Sequence, residues 1–421
     1  MGGELKYKSL RGMPDIFHED AAVMCRVEDK AREVFRTFGY GEIRTPLLEE
    51  TEVFTRSIGE DTDIVEKEMY SFTDRGGKNI SLRPEGTASI IRAYIEHGWH
   101  NTADLVKLYY VGPMFRGERP QKGRLRQFHQ IGAEIIGGSG PYLDAELIFS
   151  LDVLLKELKV DGFTILINSL GCSSDRAGYR KVLARYLDEK STALCDDCKR
   201  RAKMNVLRVL DCKKEGCKEI VKGAPYVMDH LCENCRKDYD TLKNILSRMN
   251  VSFSEKKNMV RGLDYYTGTI FEVVHTALGA QDAIAAGGRY DDLTKQMGGP
   301  DVGATGYAVG TERLLMVIDK KEVCAVLPGV LVIAVDDALR AEAFRLTNKL
   351  RLEGVLCDMD HSGRSFKGQM RKADKEGKSF VILIGENEIK SGKLLLKDMK
   401  SGEQKELSFD EAVSYVKNAP K

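Results

Sequence analysis

The stretch "LVKLYYVGPMFRGERPQKGRLRQFHQIGAEII", residues 105–136, sets two apolar runs on either side of a basic loop. Residues 105–111 and 128–136 are short, rich in β-branched and aromatic residues, and flanked by turn formers. That pattern predicts two strands joined as a hairpin, hence an antiparallel sheet. A period of two puts Phe128, Gln130, Gly132, Glu134 and Ile136 on one face of the second strand, with Gly132 leaving a hollow between Gln130 and Glu134. Paired this way, the first segment lets Arg116 point to the same face. The loop gathers Arg116, Arg119, Lys122, Arg124 and Arg126. Taken alone, it is equally a solvated sheet edge carrying surface charge.

The whole chain bounds what such a patch can mean. Its 421 residues are enough for two or three domains with real cores, and 42% hydrophobic with 31% charged residues is the balance of a globular protein. A net charge of +1 excludes a generally basic nucleic-acid coat, so a polyanion must be held by local patches. No apolar stretch reaches the roughly 18 residues needed to span a bilayer. The opening "MGGELKYKSLRGMPD" has no apolar signal core, so a cytoplasmic protein with no membrane partner is expected.

Outward from the hairpin, "EDAAVMCRVEDKAREVFRTFGY" spaces Val23, Val27, Ala31, Val34, Phe35 and Phe38 by three and four, predicting an amphipathic helix that stops at Gly39. Residues 270–274 read as a further strand, and "GYAVGTERLLMVID" as a strand running into a helix. Residues 172–250 change character, with many charges and paired cysteines between helical patterns, and read as an insertion. After Pro328 and Gly329, strands at 330–335, 355–360 and 380–385 alternate with helices at about 338–352 and 365–375, the pattern of a small, separate, parallel α/β domain.

Neither G-x-x-x-x-G-K-[ST] nor a strand-linked G-x-G-x-x-G occurs, so a nucleotide would have to be held by arginines. The planar guanidinium fork suits phosphate oxygens. "LRPEGTAS" (82–89) presents Glu85 before a Gly-Thr turn, "VRGLDYYTG" (260–268) sets Arg261 and Tyr266 around a glycine turn, and "GTERLL" puts Arg313 on the first turn of a helix. Each alone is equally a cap or a surface charge.

Together with "RGMPDIF", "RTPLLEETEVF", "YYVGPMFRGERPQKGRLRQFHQIGAEIIG" and "AAGGRYDDL", these segments resemble the bacterial histidyl-tRNA synthetases, a class II aminoacyl-tRNA synthetase family, over essentially the full length. "RTPLLEETEVF", the long arginine segment and "GYAVGTERLL" look like class II motifs 1, 2 and 3, and "RGLDYYTG" is the most specific segment. The resemblance implies a multidomain α/β protein: a class II catalytic domain (1–171 and 251–327) with an antiparallel sheet and flanking helices, an insertion with the cysteines (172–250), and a C-terminal α/β anticodon-binding domain (328–421). It implies a histidine–tRNA ligase that joins histidine to ATP, releases pyrophosphate, and passes the histidyl group to the 3′ end of its tRNA. Magnesium on the phosphates and a homodimer, through the motif 1 region around Pro46, are implied with it.

Residue by residue, the resemblance implies Arg116 and Arg261 as the catalytic pair at the α-phosphate and the histidine carboxylate, with Arg124 and Arg313 completing the ATP site. Arg261 stands where other class II enzymes use a metal contact. Glu134 and Tyr266 match positions that face the imidazole nitrogens, with Glu85, Thr87, Gln130 and Tyr265 completing the histidine site. Arg119, Gln121 and Lys122 match the part of motif 2 that faces the tRNA acceptor end, and Arg364, Lys367, Arg371 and Lys372 lie on or beside one helix of the last domain. The sequence departs from the family at Asn205-Val206-Leu207-Arg208, where N-P-L-R is usual.

Six of the ten cysteines fall within residues 195–235. The two C-x-x-C pairs, Cys195/Cys198 and Cys232/Cys235, have the spacing of a four-thiolate zinc site, with free thiols as the alternative; Cys212 and Cys217 lie between them. Two rival functions share the fold: a regulatory subunit of histidine biosynthesis, which usually lacks the last domain and erodes the arginines, and an RNA-binding pseudo-enzyme, which needs no imidazole-selective pair. Charging of tRNA with histidine separates all three.

Overall fold

In the computed structural model, residues 7–59, 62–260, 262–279, 282–320 and 329–419 are described. The chain divides into two compact units, Met1–Val323 and Cys324–Lys421.

The first unit is organised by an eight-stranded sheet. Its strands run, edge to edge, Gly41–Glu42, Val106–Phe115, Gln127–Ile136, Ala304–Gly310, Ala283–Arg289, Thr267–His275, Phe163–Ser169 and Phe253–Glu255. The six inner strands pair antiparallel, as the hairpin pattern predicts; the two-residue strand at one edge and Phe253–Glu255 at the other pair parallel, so the sheet is mixed at its rims. The amphipathic helix spans His18–Thr37 and buries Val23, Val27, Ala31, Val34 and Phe35. Phe35 stacks on Tyr109 of the sheet, ring centroids 4.9 Å apart. Gly39, with φ +76°, ends the helical segment without the Cβ penalty other residues would carry there.

Residues 172–250 leave the sheet after Phe163–Ser169 and return as its edge neighbour Phe253–Glu255. An insertion between adjacent rim strands leaves the inner pairing undisturbed. Its helices are Ser173–Asp188, Asp196–Met204, Glu215–Lys222 and Glu233–Arg248, the last packed on Pro141–Glu157. The others enclose a small core of their own around Tyr179, Leu183, Leu187, Val206, Val209 and three cysteines.

The second unit has a five-stranded sheet ordered Cys357–Met359, Val330–Ala334, Phe380–Ile384, Leu394–Asp398, Gln404–Leu407. The three predicted strands are parallel, joined by helices Arg340–Leu352 and Phe366–Lys375. The last two strands add antiparallel and were not foreseen. "KLLLKDMKSGEQKEL" is a hairpin whose first strand, unlike the buried "VLVIA", has only one fully buried residue, Leu396, and so carries a weak apolar signal.

Candidate active site

A cavity of about 920 Å³ opens over the inner strands of the first unit, and the insertion supplies part of its wall. Arg116, Arg124 and Arg313 line one side of it; Glu85, Thr87, Gln130, Tyr265 and Tyr266 line another.

The arginines are aimed by main-chain carbonyls. The hairpin register, Phe115 opposite Gln127, brings Arg116 beside Phe128, and its guanidinium lies 5.2 Å from that ring's centroid. Arg116 Nε donates to Pro84 O at 2.9 Å. Arg313 enters from the short helix Thr311–Leu314, donating to Gly123 O at 2.9 Å and Ala283 O at 2.8 Å. Arg124 pairs with Glu118 at 2.9 Å. Burial, and after it the nearby Arg124, lowers the pKa of Arg313; Arg116 adds to this, while Glu118 and Glu272 oppose it. Arg313 is thus a guanidinium whose charge is disfavoured by burial and by neighbouring arginines, a setting that suits an anionic ligand.

The other wall is built on carboxyls. Glu85 sits ahead of helix Thr87–Glu96 and accepts the N–H groups of Thr87 and Ala88 at 2.7 and 2.9 Å, satisfying donors that a helix start leaves open. Burial nevertheless raises its pKa. Glu134 is fully buried; its oxygens accept from Thr87 Oγ1 at 2.7 Å and from the Tyr290 hydroxyl. Burial pushes the Glu134 pKa up to about 8, against these two bonds and with help from Glu85. Opposite it stands Gly306, where any Cβ would lie 1.5 Å from a Glu134 oxygen. The hollow expected above Gly132 is filled: its strand partner Tyr110 covers it, with the ring 2.3 Å from where a Cβ would sit. Gln130 lines the cavity, and its Oε1 is buried without a hydrogen-bond partner among the described residues. Tyr265 and Tyr266 pack ring to ring at 4.8 Å, and Arg176 donates to Tyr266 O at 3.1 Å.

The structure thus gathers Glu85, Thr87, Arg116, Arg124, Gln130, Tyr265, Tyr266 and Arg313 around one space. Glu134 stands behind Thr87 rather than on the wall. Arg261 lies outside the described residues, between Val260 and Gly262, which line the cavity. Arg119, Gln121 and Lys122 are exposed near the hairpin tip, which closes through the Gln121–Arg124 backbone pair. Sequence reasoning passed over Tyr290, Tyr110 and the insertion residues Arg201 and Arg208. Tyr290 sat in the quoted "AAGGRYDDL", but only the fold brings its hydroxyl to Glu134.

The proposed cysteine grouping is corrected. Cys195 and Cys198 gather with Cys212 and Cys217, while Cys232 and Cys235 gather with Cys172 and Asp175. Each C-x-x-C opens a different helix, Asp196–Met204 or Glu233–Arg248, and the second helix is held away by packing on Pro141–Glu157.

A family model described as Histidyl-tRNA synthetase matches residues 12–314, and one described as Anticodon binding domain matches residues 329–419. The chain is 48% identical over 419 residues to the histidine–tRNA ligase of Thermodesulfovibrio yellowstonii, covering 98% of this chain and 99% of that protein. It is 46% identical over 406 residues to that of Halothermothrix orenii, covering 95% and 96%. The crystal structure of apo S. aureus histidyl-tRNA synthetase superposes with a TM-score of 0.81 at 33% identity, covering 98% of this chain and 100% of that one. An arginine-lined cavity on an antiparallel sheet, in a chain matched from end to end by such relatives, leaves one conclusion: this protein belongs to the histidyl-tRNA synthetase family.

Proposed function

We propose that this cavity carries out both steps of the histidine–tRNA ligase reaction, and that the activity of the relatives is the activity of this chain. The observation that carries the reading is the junction, within one space, of Arg116, Arg124 and the charge-disfavoured Arg313 with the buried carboxyl of Glu85 and the tyrosines Tyr265 and Tyr266. In the first step a carboxylate oxygen of histidine attacks the α-phosphorus of ATP, and the bond to pyrophosphate breaks. Negative charge builds on the phosphoryl oxygens, and Arg116 is the guanidinium assigned to it, together with Arg261 from the family match. Arg313 and Arg124 take the outer phosphates. In the second step the terminal ribose hydroxyl of tRNA attacks the histidyl carbonyl, and AMP departs.

On the other wall, Glu85 and Gln130 offer acceptors to the substrate ammonium. Thr87 and the tyrosines link the imidazole to Glu134, whose burial makes a misfit expensive: an amino acid unable to satisfy these groups leaves them unpaired. Glu118 and Glu272 reach the same arginine side electrostatically, and Glu118 lines the cavity with Glu272; these hard oxygen donors fit magnesium, which when bound neutralises phosphate charge. Arg119, Gln121 and Lys122 are assigned to the tRNA acceptor end.

The domain reading follows the same division: catalytic residues 1–171 and 251–327, insertion 172–250, anticodon-binding 328–421. In the last domain Arg364 pairs with Asp360 and Lys372 donates to Met359 O at 3.2 Å, so the exposed Lys367 and Arg371 are the cations assigned to RNA. A second copy of the chain is the partner for the exposed apolar side chains Leu47, Leu48, Phe72 and Leu105 around motif 1, and sedimentation of the purified protein tests it. Among the described residues no helix is long and apolar enough to cross a membrane and no cysteine is in a disulfide, the thiol state of a reducing compartment, and the cytoplasm is the compartment assigned.

Histidine-dependent ATP–pyrophosphate exchange followed by charging of tRNA with labelled histidine tests the whole reading. Both reactions are expected. Histidine binding without exchange would make the chain a regulatory module instead.

A further inference from the structure

The cysteines of the insertion take no part in that reaction, yet they are placed too carefully for scattered thiols. The Sγ atoms of Cys195, Cys198, Cys212 and Cys217 all lie within 4.8 Å of one another, and Cys195 Sγ is 4.0 Å from Cys212 Sγ. A disulfide would bring two of them to about 2.05 Å. Tetrahedral zinc with Zn–S bonds of about 2.3 Å sets its sulfurs about 3.8 Å apart, which is the spacing that this group approaches.

Local structure explains how the four meet. Cys195 caps helix Asp196–Met204 and Cys198 lies in its first turn, so the C-x-x-C spacing turns both side chains inward. Cys212 ends the 3₁₀ segment Val206–Asp211, and Cys217 lies in helix Glu215–Lys222. Cys198, Cys212 and Cys217 are buried, and the Cys217 sulfur accepts the Cys195 backbone N–H at 3.3 Å, the kind of outer contact that orients a metal-bound thiolate. The surrounding elements are short, and their core is small; such a unit needs a staple. The neighbouring group of Cys172, Asp175, Cys232 and Cys235 is a poorer cage. Asp175 already accepts the N–H groups of Cys172 and Cys232, at 3.3 and 3.0 Å, and Cys232 is exposed.

We infer that Cys195, Cys198, Cys212 and Cys217 form a closed, structural four-thiolate zinc site that holds the insertion against the active-site cavity. Between its two halves runs the segment that grips the catalytic domain: Asn205 Nδ2 donates to Asp264 Oδ2 at 2.8 Å and Arg208 Nε to Asp264 Oδ1 at 3.2 Å, directly before Tyr265 and Tyr266. Arg201 adds a 3.0 Å pair to Asp63, and Leu210 to Lys214 continue as cavity wall. Four thiols lose their protons to solvent as zinc enters, and no electron is transferred. The ion thereby sets the position of the loop behind the histidine pocket without touching substrate.

The test is metal analysis of the full chain, produced with zinc in the medium and purified without chelator. About one zinc per chain is expected. Cys212→Ser and Cys217→Ser should lose it, whereas Cys232→Ser and Cys235→Ser should keep it. Cobalt substituted into the wild-type chain should show the intense thiolate charge-transfer bands of a tetrahedral all-sulfur site, a readout that stands even where a serine variant fails to fold. Zinc removal should accelerate hydrogen exchange at residues 196–222 and at 262–266, where the clamp on Asp264 ends. Zinc near zero in the wild type, or zinc kept by Cys217→Ser and lost by Cys235→Ser, overturns the assignment.

Discussion

The two walls of the cavity use opposite strategies. The arginine wall is made of long, partly buried side chains, with Arg116 and Arg313 fastened to main-chain carbonyls and Arg124 to the Glu118 carboxylate. The carboxyl side is short-armed, buried and already paired: Glu85, on the wall, to two backbone N–H groups, and Glu134, behind it, to Thr87 and Tyr290. On the function proposed above, the difference follows the ligands: phosphates would meet cations held at the cavity edge, whereas an imidazole would be told from other side chains by groups that are expensive to leave unsatisfied.

The comparison breaks most visibly if the arginine wall is cut. Arg116→Ala is expected to lower ATP–pyrophosphate exchange by roughly 100-fold or more, while histidine binding measured by calorimetry persists. Arg261→Ala is expected to do the same, on the strength of the family match. Loss of histidine binding in Arg116→Ala would mean the walls are one device.

On the carboxyl wall, Glu134→Gln keeps the shape but changes what Thr87 and Tyr290 donate to. It should lower kcat/KM for histidine by roughly 10- to 100-fold, as expected when a buried hydrogen-bond partner is left unsatisfied at a cost of about 1–3 kcal/mol, and leave the KM for ATP nearly unchanged. A rise in the ATP KM of equal size would erase the division of labour.

A smaller effect is one of pH. The Glu134 pKa stands at about 8 in the folded chain against 4.5 as the reference value, so between these limits the native state holds a proton the unfolded state has lost. Its stabilising contribution is present in full below the reference value and is lost as pH rises through about 8. The melting midpoint of the wild type should therefore fall more steeply than that of Glu134→Gln between about pH 5 and about pH 8, and run parallel to it above that. Parallel curves within that window would show that the proton is not there.

The least change is expected at the hairpin tip. Lys122→Ala should leave exchange untouched, raise the KM for tRNA only slightly, and flatten its salt dependence by about one contact's worth of slope.

Much of this was legible in the chain. The amphipathic helix follows from its one buried face, which writes its period into the residues, and the hairpin and the alternating last domain follow from short apolar runs set off by turn formers, the mark of strands buried on both faces. The Phe163–Ser169 strand and the closing hairpin of the second unit escaped, the latter because its strands are only partly buried. Of the site, the arginines announced themselves by density. Tyr290 and Tyr110 did not: Tyr110 sits in an apolar run and reads as core, Tyr290 sits between charges and reads as surface, until the fold brings one to a glycine and the other to a carboxyl.

The order of residues, by itself, determined which segments become strands and helices, which family the chain resembles and which side chains carry charge, because these depend on neighbours within a few positions. Only the tertiary structure decided which cysteines share a cage, that Glu134 lies behind Thr87 and that Tyr110 fills the space over Gly132. Those outcomes rest on contacts between stretches tens to hundreds of residues apart, and their geometry is set by strand register and helix packing, not by spacing along the chain.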